Sequence, residues 1–204
     1  DEDHATGVVF GFLRDIPHLL ETCTASRVVF CFDAGRGKRR EIAPDYKGSR
    51  APGDEGAAAV RAAVAYQIGR LRDRHLPRLG YRNIFSRGGY EADDVIASVV
   101  GALPGSVQAT IVSGDSDLYQ LLRPGVRVFN PRTRQHYDHK AFAAEWGIDP
   151  VMWAHVKAAA GCPTDDVVGI RGIGEKTAAR WAAGRLPPTS VAYMKIRDEL
   201  ATLT

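Results

Sequence analysis

The sequence predicts an α/β fold: a mostly parallel sheet with helices on both faces, followed by a smaller helical subdomain. Three observations support this. Short apolar runs alternate with amphipathic helical segments over residues 1–138, which is the pattern of parallel sheets. The hydrophobic fraction of 45% in 204 residues is sufficient for a buried core. The remainder of the chain, residues 139–204, has helical character throughout. We therefore expect two domains, divided between residues 138 and 139.

Composition excludes several classes of protein. Lys and Arg total 27 against 24 Asp and Glu, so the net charge of +3 is too mild to establish a polyanionic partner by itself. Cys23, Cys31 and Cys162 form no C-x-x-C pair, which argues against disulfides and zinc and favours a reducing compartment. No apolar run approaches the roughly 18 residues of a membrane span. We expect a cytoplasmic monomer with no membrane association and no secretory leader.

In the first half of the chain, apolar residues recur at helical spacing over residues 7–23 and predict an amphipathic helix. The apolar run RVVFCFD, residues 27–33, predicts a buried strand. A Gly-, Pro- and Arg-rich stretch follows at about residues 34–55 and predicts a long loop or flexible element. Residues 55–79 have the spacing of a long helix, and residues 81–85 are consistent with a short strand.

In the second half, Gly88 and Gly89 break the chain before a helix that starts near Glu91. ATIVSG predicts a strand, DSDLYQLL a short helical turn and VRVFN another strand. The helical remainder contains a Gly-rich hairpin, GIRGIGEKTAARW. In such sheets, functional groups collect at the carboxyl ends of the strands.

Carboxylates follow these strand ends repeatedly. They are Asp33, Glu91, Asp93, Asp94, Asp115 and Asp117. In the predicted fold all six can meet at one rim, where like charges would raise one another's pKa unless cations lie between them. Oxygen ligands favour hard ions such as Mg²⁺ or Mn²⁺. Two such ions about 4 Å apart support phosphodiester hydrolysis.

A simpler interpretation exists for each acid taken alone. Acids in the first turn of a helix are stabilised by the helix dipole, so EADD alone favours a solvated helix start. Asp115 alone is consistent with a helix N-cap. The repetition of acids after separate apolar runs is what favours a metal site, because capping does not require that coincidence.

A basic segment follows Asp33. Its cations are Arg36, Lys38, Arg39, Arg40, Lys47 and Arg50, with Tyr46 among them. A solvated loop explains such a run in isolation. Directly after a metal-type acid, it predicts an element that grips nucleic-acid phosphates, while Tyr46 could stack on an unpaired base.

Four blocks of the sequence, in order, resemble the 5′ nuclease family, which comprises flap endonucleases and the 5′-to-3′ exonuclease domain of bacterial DNA polymerases. FDAGRGKRREIAPDYKGSR resembles the family's segment from a metal-binding Asp through a basic arch to a Tyr-Lys-x-x-Arg element. GYEADDVIASVV and VSGDSDLYQLL resemble its Glu-Ala-Asp-Asp helix and its Asp-x-Asp loop. GCPTDDVVGIRGIGEKTAARW resembles its helix-three-turn-helix, here expected at about residues 155–184. The resemblance implies a PIN-like nuclease core.

The resemblance also implies a ligand set for two Mg²⁺ or Mn²⁺ ions. Asp33, Glu91 and Asp93 would hold the first ion. Asp115 and Asp117 would contribute mainly to the second, with Asp94 nearby and Asp165 at a further metal position. The implied activity is a structure-specific 5′ nuclease acting on branched or 5′-ended DNA.

The same resemblance assigns contacts to DNA. Lys47, with Arg50 and either Arg36 or Arg40, would contact the scissile phosphate from the arch. In the hairpin, Gly172 and Gly174 would let the backbone approach duplex DNA, and Lys176 and Arg180 would add charge. Hairpin carbonyls hold a potassium ion in relatives, which here would involve Gly169, Ile170 and Ile173.

Two departures from the family pattern leave alternatives open. The family opens with a strand carrying another metal-binding Asp, and this sequence starts just beyond that position, so the strand is either missing from it or a ligand is lacking. Cys162 stands where the family has Asp, and Asp166 where it has Asn; a thiol is a poor ligand for Mg²⁺. A DNA-binding protein with weakened catalysis is therefore one alternative. A PIN-like ribonuclease is another, although it would not need the hairpin.

Overall fold

The structure, a computed structural model, describes residues 6–48 and 55–202. These residues form two compact units, which we describe separately. The first unit takes in residues 6–42 and 55–95, and the second takes in residues 43–48 and 96–202. The division expected between residues 138 and 139 stays a prediction. Among the described helices, none is both long and apolar enough to cross a bilayer.

The first unit consists of helices around a two-stranded parallel sheet. Its elements are α1 (Gly7–Thr22), β1 (Phe30–Phe32), α2 (Gly37–Ile42), α3 (Glu55–Arg70), a π-helical turn (Leu71–His75), α4 (Leu76–Arg78) and β2 (Ile84–Ser86). β1 and β2 pair in parallel with Phe30 opposite Ile84. The buried core contains Ile16, Phe30, Phe32, Leu71 and Leu76. The parallel pairing places the ends of both strands, and the chain segments that follow them, at one edge of the sheet.

The start of α1 depends on a side chain from α3. Thr6, at the N-cap position of α1, makes no side-chain capping bond. Instead, the buried Gln67 accepts a hydrogen bond from the Val8 amide at 2.9 Å through its Oε1 atom. A buried polar atom without a partner is unfavourable, so this bond benefits both one amide of the helix start and the Oε1 atom of Gln67.

The second unit combines a three-stranded sheet with most of the helices. α5 (Ala92–Ala102) leads into it from the first unit, because the division falls after Val95. Its further elements are β3 (Ala109–Val112), a 3₁₀ turn (Ser116–Leu121), β4 (Val126–Asn130), β5 (Gln135–Asp138), α6 (His139–Trp146), a 3₁₀ turn (Pro150–Met152), α7 (Trp153–Ala160), a 3₁₀ turn (Pro163–Asp165), α8 (Glu175–Ala182) and α9 (Val191–Thr202). β3 and β4 are parallel, whereas β4 and β5 are antiparallel.

An aromatic core supports the turn after β3. Phe142 and Trp153 are fully buried and lie edge to face at 5.4 Å between ring centroids. The indole N–H of Trp153 donates to the backbone oxygen of Ser116 at 2.8 Å. This bond ties the turn Ser116–Leu121, which contains Asp117 and is capped by Asp115, to the start of α7.

The mixed α/β character agrees with the prediction, but the single mostly parallel sheet does not. The described strands form two small sheets, one in each unit, and the second includes the antiparallel strand β5. The hairpin before β5 is built on the Asn130 side chain, which accepts bonds from the Arg132 and Thr133 amides, and Arg134 has a φ of 57°. Such a turn lacks the glycine that ordinarily marks a hairpin. Part of the predicted loop after Asp33 is also helical, as α2.

Candidate metal and nucleic-acid sites

The first candidate site, which we call the first carboxylate group, comprises Asp33, Glu91, Asp93 and Asp94. Asp33 directly follows β1, and the segment after β2 leads to Glu91 at the start of α5. Two backbone bonds hold these segments together: the Ala34 amide donates to the Tyr90 oxygen at 3.0 Å, and the Gly89 amide donates to the Ala34 oxygen at 2.8 Å. The segments that follow β1 and β2, which lead to Asp33 and Glu91, therefore meet at the strand-end edge of the first unit's sheet.

Two acids of this group also satisfy the start of α5. Asp33 Oδ1 accepts a bond from the Ala92 amide at 2.6 Å, and Asp94 Oδ2 accepts one from the Glu91 amide at 3.0 Å. The first amides of a helix lack partners within the helix, and its dipole favours negative charge there. The helix-start interpretation is thus supported by the geometry, and a metal would share carboxylates that already position α5.

Arg39 on α2 supplies a positive charge to the first carboxylate group. Its guanidinium lies 3.2 Å from Glu91 Oε2 and 3.0 Å from Asp94 Oδ1. The Arg39 side chain is 36% exposed, whereas that of Glu91 is only 12% exposed. The fork of an arginine can bridge two carboxylates and relieve their repulsion. Sequence reasoning expected Arg39 to contact nucleic-acid phosphates; here it contacts carboxylates.

The second candidate site, which we call the mixed-donor group, comprises Asp117, Cys162 and Asp165. One possible ligand atom from each residue lies within 4.8 Å of the others, and all three residues are half-buried. Two carboxylates and a thiol thus converge from the turn after β3 and from the loop after α7. Carboxylates placed this close repel one another unless a positive charge lies between or beside them, so the group is suited to bind a cation.

Asp115 lies beside this group in the sequence and serves the turn that carries Asp117. It is the N-cap of the turn Ser116–Leu121, and its Oδ1 accepts a bond from the Asp117 amide at 2.9 Å. The Asp115 amide in turn donates to Ser113 Oγ at 3.1 Å. The capping interpretation considered for Asp115 is therefore supported, which does not prevent its other oxygen from binding a cation.

A tight loop brings Cys162 and Asp165 together. Cys162 and Val167 exchange backbone bonds of 2.9 and 3.1 Å, and the Asp165 amide donates to the Cys162 oxygen at 3.0 Å. The loop is closed by Gly161 and Gly169, whose backbones are so close that a Cβ on Gly169 would lie well under 3.0 Å from the Gly161 amide nitrogen. Glycine is required where two backbone segments approach this closely. The positions of Cys162 and Asp165 therefore depend on both glycines.

Two lysines neutralise the mixed-donor group. Lys157 on α7 lies 3.1 Å from Asp117 Oδ1 and 2.9 Å from Glu175 Oε1. Burial lowers the pKa of Lys157, but its hydrogen bonds to and charge attraction with Glu175 and Asp117 outweigh this, so its pKa is raised. Lys47 Nζ lies 3.6 Å from Asp165 Oδ2.

The sequence analysis did not single out Lys157 or Glu175 as site residues. The one signal available in the sequence was a lysine within the largely apolar run WAHVKAAA.

Tyr46 lies beside the same group and differs from the expectation. It is 7% exposed, and its hydroxyl donates to Asp165 Oδ2 at 3.2 Å. A buried ring has no open face, so stacking on a base has no support in this conformation. The Lys47 amide also donates to the Asp165 oxygen at 3.0 Å, which fixes the Tyr46–Lys47 pair to Asp165.

The other predicted cations lie mainly at the surface. Lys38 is exposed and pairs with Glu41 at 3.0 Å, while Arg40 is exposed on α2. Lys176 and Arg180 are exposed on α8, which buries Ala178 and Ala179. Arg36 is half-buried. Arg50 lies outside the described residues.

The Gly-rich segment between α7 and α8 has the positive φ that its sequence suggests. Gly172 has a φ of 83°, and Gly174 is the N-cap residue of α8. Ile173 is buried, and its amide donates to the Ile170 oxygen at 2.9 Å. Lys195 Nζ donates to the neighbouring Arg171 oxygen at 3.3 Å. The segment is anchored by its isoleucines, while Gly172 and Gly174 are exposed.

The two groups belong to different units and are described separately. Within the first unit, Asp33, Glu91 and Asp94 are joined through α5 and Arg39. Within the second, Asp117 and Asp165 lie close to each other and to Cys162, a residue that we did not expect as a ligand. That all six strand-end carboxylates share one rim stays a prediction, and so do the roles assigned to the individual site residues.

Comparison with known proteins gives consistent matches. The family described as 5′-3′ exonuclease, N-terminal resolvase-like domain, matches residues 1–147. The 5′-3′ exonuclease of Bacillus subtilis (strain 168) is 32% identical over 183 residues, covering 87% of this chain and 59% of the relative. The chain therefore spans about three fifths of that relative's length.

Two solved structures share the fold. One, of T5 5′-exonuclease with bound zinc, has a TM-score of 0.81 at 22% identity and covers 96% of this chain and 77% of that chain. The other, a bacteriophage T5 flap endonuclease in a pseudo-enzyme-product complex with DNA and metal ions, has a TM-score of 0.73 at 22% identity and covers 97% of this chain and 78% of that chain. At this identity the likeness establishes the fold alone.

Proposed function

The chain belongs to the 5′-3′ exonuclease family, and from that premise we propose that it is a divalent-metal-dependent, structure-specific 5′ nuclease. Its substrate would be branched or 5′-ended DNA, in which it hydrolyses phosphodiester bonds. The observation that carries this proposal is the convergence of acids from distant parts of the sequence into clusters. Asp33 joins the Glu91–Asp94 segment in one unit, and Asp117 joins Asp165 in the other.

The donor atoms fit divalent ions. The first carboxylate group offers only oxygen, which suits Mg²⁺ or Mn²⁺, and we propose Asp33, Glu91 and Asp93 as its ligands with Asp94 nearby. Asp115, Asp117 and Asp165 are proposed for a second ion. When bound, such ions supply Lewis-acid polarisation of a phosphate and of an attacking water.

The residues of this chain would orient the substrate. We propose that Lys47 and Arg50 contact the scissile phosphate, while Arg36, Lys38 and Arg40 neutralise neighbouring phosphates. Arg39 is left out of this set because its guanidinium pairs with Glu91 and Asp94. The positive φ of Lys47, 52°, and its bond to Asp165 support a fixed position for this side chain beside the acids. Holding the phosphate in one orientation is the part of catalysis that such cations provide.

Duplex DNA would bind at the segment before α8, which we propose as a helix-three-turn-helix. Gly172 and Gly174 let the backbone approach a phosphate, and the exposed Lys176 and Arg180 add charge on the same helix. We also propose a potassium ion at the carbonyls of Gly169, Ile170 and Ile173. The T5 complex with DNA and metal ions supports DNA as the partner. The proposal includes a monomeric state and a cytoplasmic location.

A second function has a specific observation in its favour. In the mixed-donor group a thiol stands among the ligands, and both carboxylates pair with lysines. A protein that binds branched DNA with weakened catalysis would tolerate this arrangement. A PIN-like ribonuclease is a third candidate, and the exposed cations of α8 argue against it.

A cleavage assay tests these candidates. We expect the full chain with Mg²⁺ or Mn²⁺ to cut a 5′-flap DNA, and Asp115→Asn to reduce cutting by more than about 100-fold, since one oxygen ligand is lost near the reacting phosphate. Binding of the flap in EDTA should remain, because Asn keeps the cap of the turn. Lys140→Met, at an exposed lysine on α6, serves as the matched control.

Two results would overturn the proposal. Binding of the flap without cutting under any divalent metal would identify the DNA-binding protein. Faster cutting of single-stranded RNA than of any DNA would identify the ribonuclease.

A further inference from the structure

We propose that the mixed-donor group is a site for borderline divalent ions, of which Zn²⁺ and Cd²⁺ are representative, and that the Cys162 thiolate is one of its ligands. The inference deepens the proposed function and rests on it for the presence of a metal. The second ion would then be of the borderline class and the first of the hard class, because the first group offers only oxygen ligands and the second offers oxygen and sulfur.

The geometry of the donors is compatible with one ion. Their ligand atoms lie within 4.8 Å of one another. Zinc binds thiolate sulfur at about 2.3 Å and carboxylate oxygen at about 2.1 Å, so at tetrahedral angles two donors on one ion are about 3.6 Å apart. Binding an ion would therefore draw the donors together by up to about 1 Å, a movement on the scale of side-chain rotation.

The type of donor decides which ion is preferred. Mg²⁺ requires near-octahedral oxygen ligands, and sulfur gives it little. Zn²⁺ accepts sulfur and oxygen together in a four-coordinate arrangement. Asp117, Cys162 and Asp165 supply three protein ligands and leave a fourth position for a water or a phosphate oxygen, which is the arrangement of an open rather than a closed zinc site.

The surroundings hold the donors without an ion. Lys157 and Lys47 place two positive charges beside three groups that are anionic when a metal is bound. Tyr46 donates to Asp165, and Cys162 Sγ lies 3.2 Å from Thr164 Oγ1. Asp165 and Cys162 are thus positioned by Tyr46 and Thr164, as outer contacts position ligands in metal sites.

A simpler alternative assigns Cys162 only the contact with Thr164, with any ion held by the carboxylates alone. The two possibilities differ in whether sulfur bonds to the ion. That bond has its own spectroscopic signature, thiolate-to-metal charge-transfer absorption in the ultraviolet with Cd²⁺.

The experiment titrates the full chain with Cd²⁺ and follows this absorption. We expect one equivalent of Cd²⁺ to produce the band and a large excess of Mg²⁺ to leave it unchanged. Cys162→Ser should abolish the band and weaken Zn²⁺ binding by more than about 10-fold, since even the loss of an outer-shell contact has that effect. Cys31→Ser is the matched control, because Cys31 is also half-buried, and it should keep the band.

A second variant protects the test against misfolding. Cys162→Asp should remove the band while raising affinity for Mg²⁺ or Mn²⁺, because an oxygen replaces sulfur. A band that persists in Cys162→Ser, or Zn²⁺ that Mg²⁺ displaces at comparable concentration, would overturn the inference. The experiment measures metal binding, not cleavage, so the two proposals can fail separately. A chain that shows the band but does not cut DNA refutes the proposed nuclease and leaves the metal site supported. A chain that cuts DNA but shows no band refutes the metal site and leaves the proposed nuclease supported.

Discussion

The first carboxylate group and the mixed-donor group both hold carboxylates that repel one another, and they offset this repulsion in different ways. In the first, all donors are oxygens, the support is the start of α5, and one arginine bridges Glu91 and Asp94. In the second, the donors are one thiol and two carboxylates, a tight loop holds Cys162 and Asp165, and two lysines supply the positive charge. Since each group has its own ligands and counter-charges, the metal preference of one does not determine that of the other.

The counter-charges also differ in how firmly they are held. Arg39 is 36% exposed, whereas the Lys157 side chain is 20% exposed and lies between two carboxylates. Exposed pairs contribute little to stability, while more buried charged bonds contribute more. The Lys47–Asp165 pair of the second group is the more buried on both sides, with side chains 12% and 17% exposed. We therefore expect the second group to be the more strongly held of the two, and the following variants test this.

The largest expected effect is that of Gly169→Ala. The new Cβ would lie well under 3.0 Å from the Ala160 carbonyl group and from the Gly161 amide nitrogen, and neither backbone segment can move freely. We expect the free energy of unfolding to fall by about 3 kcal/mol or more, with loss of metal binding by the mixed-donor group. Chemical denaturation and the Cd²⁺ band measure both.

Gly101→Ala on α5 is the matched control, because its Cβ would meet nothing within 4 Å. It should leave stability unchanged or raise it by up to about 1 kcal/mol. If Gly169→Ala were equally harmless, the loop would not be fixed by the contact between glycines.

Lys157→Met should have an intermediate effect. It removes bonds of 3.1 and 2.9 Å to Asp117 and Glu175 and leaves two carboxylates without that charge. We expect a loss of about 1.5–3 kcal/mol in the free energy of unfolding, measured by denaturation. Affinity for Cd²⁺ should rise, because a cation that competes for Asp117 is gone.

The exposed Lys140 provides the control for this change: Lys140→Met should alter neither quantity by more than about 0.5 kcal/mol. A fall in Cd²⁺ affinity for Lys157→Met would show that the lysine positions Asp117 rather than competing for it.

Arg39→Met should have the smallest effect on stability, below about 1 kcal/mol, because the side chain is partly exposed. In the native protein an ion has to displace the Arg39 ion pairs from Glu91 and Asp94. Without Arg39 that cost of up to about 1 kcal/mol is absent, so the affinity of the first carboxylate group for Mn²⁺ should rise by up to about fivefold. Electron paramagnetic resonance of free Mn²⁺ measures this affinity. Arg40→Met, at an exposed residue of the same helix, should leave it unchanged, and an equal response of both variants would contradict a specific role for Arg39.

Strand ends and helix starts were predictable from the sequence because they have local causes. The apolar run before Asp33 and the Gly88–Gly89 break before Glu91 indicate where these acids enter the first unit. The acids after β3 were located in the same way. The resemblance to the 5′ nuclease family added Asp165, which no periodicity would have singled out.

What the sequence left open depends on side-chain direction and on long-range packing. Nothing in a basic run states that Arg39 points toward carboxylates, or that Tyr46 is buried beside Asp165. Lys157 looks like one charge within an apolar helix until its two partners are placed in space. β5 was missed because an Asn side chain and a positive φ at Arg134 form its turn.

The bond from Gln67 to the start of α1 has a consequence for the order of folding. The acceptor that satisfies the Val8 amide lies 59 residues away along the chain. Contacts at such separation form late, since the intervening chain must first close. The first turn of α1 is therefore expected to fray until α3 has docked, so amide exchange at Val8 should report on that docking rather than on the helix that contains it.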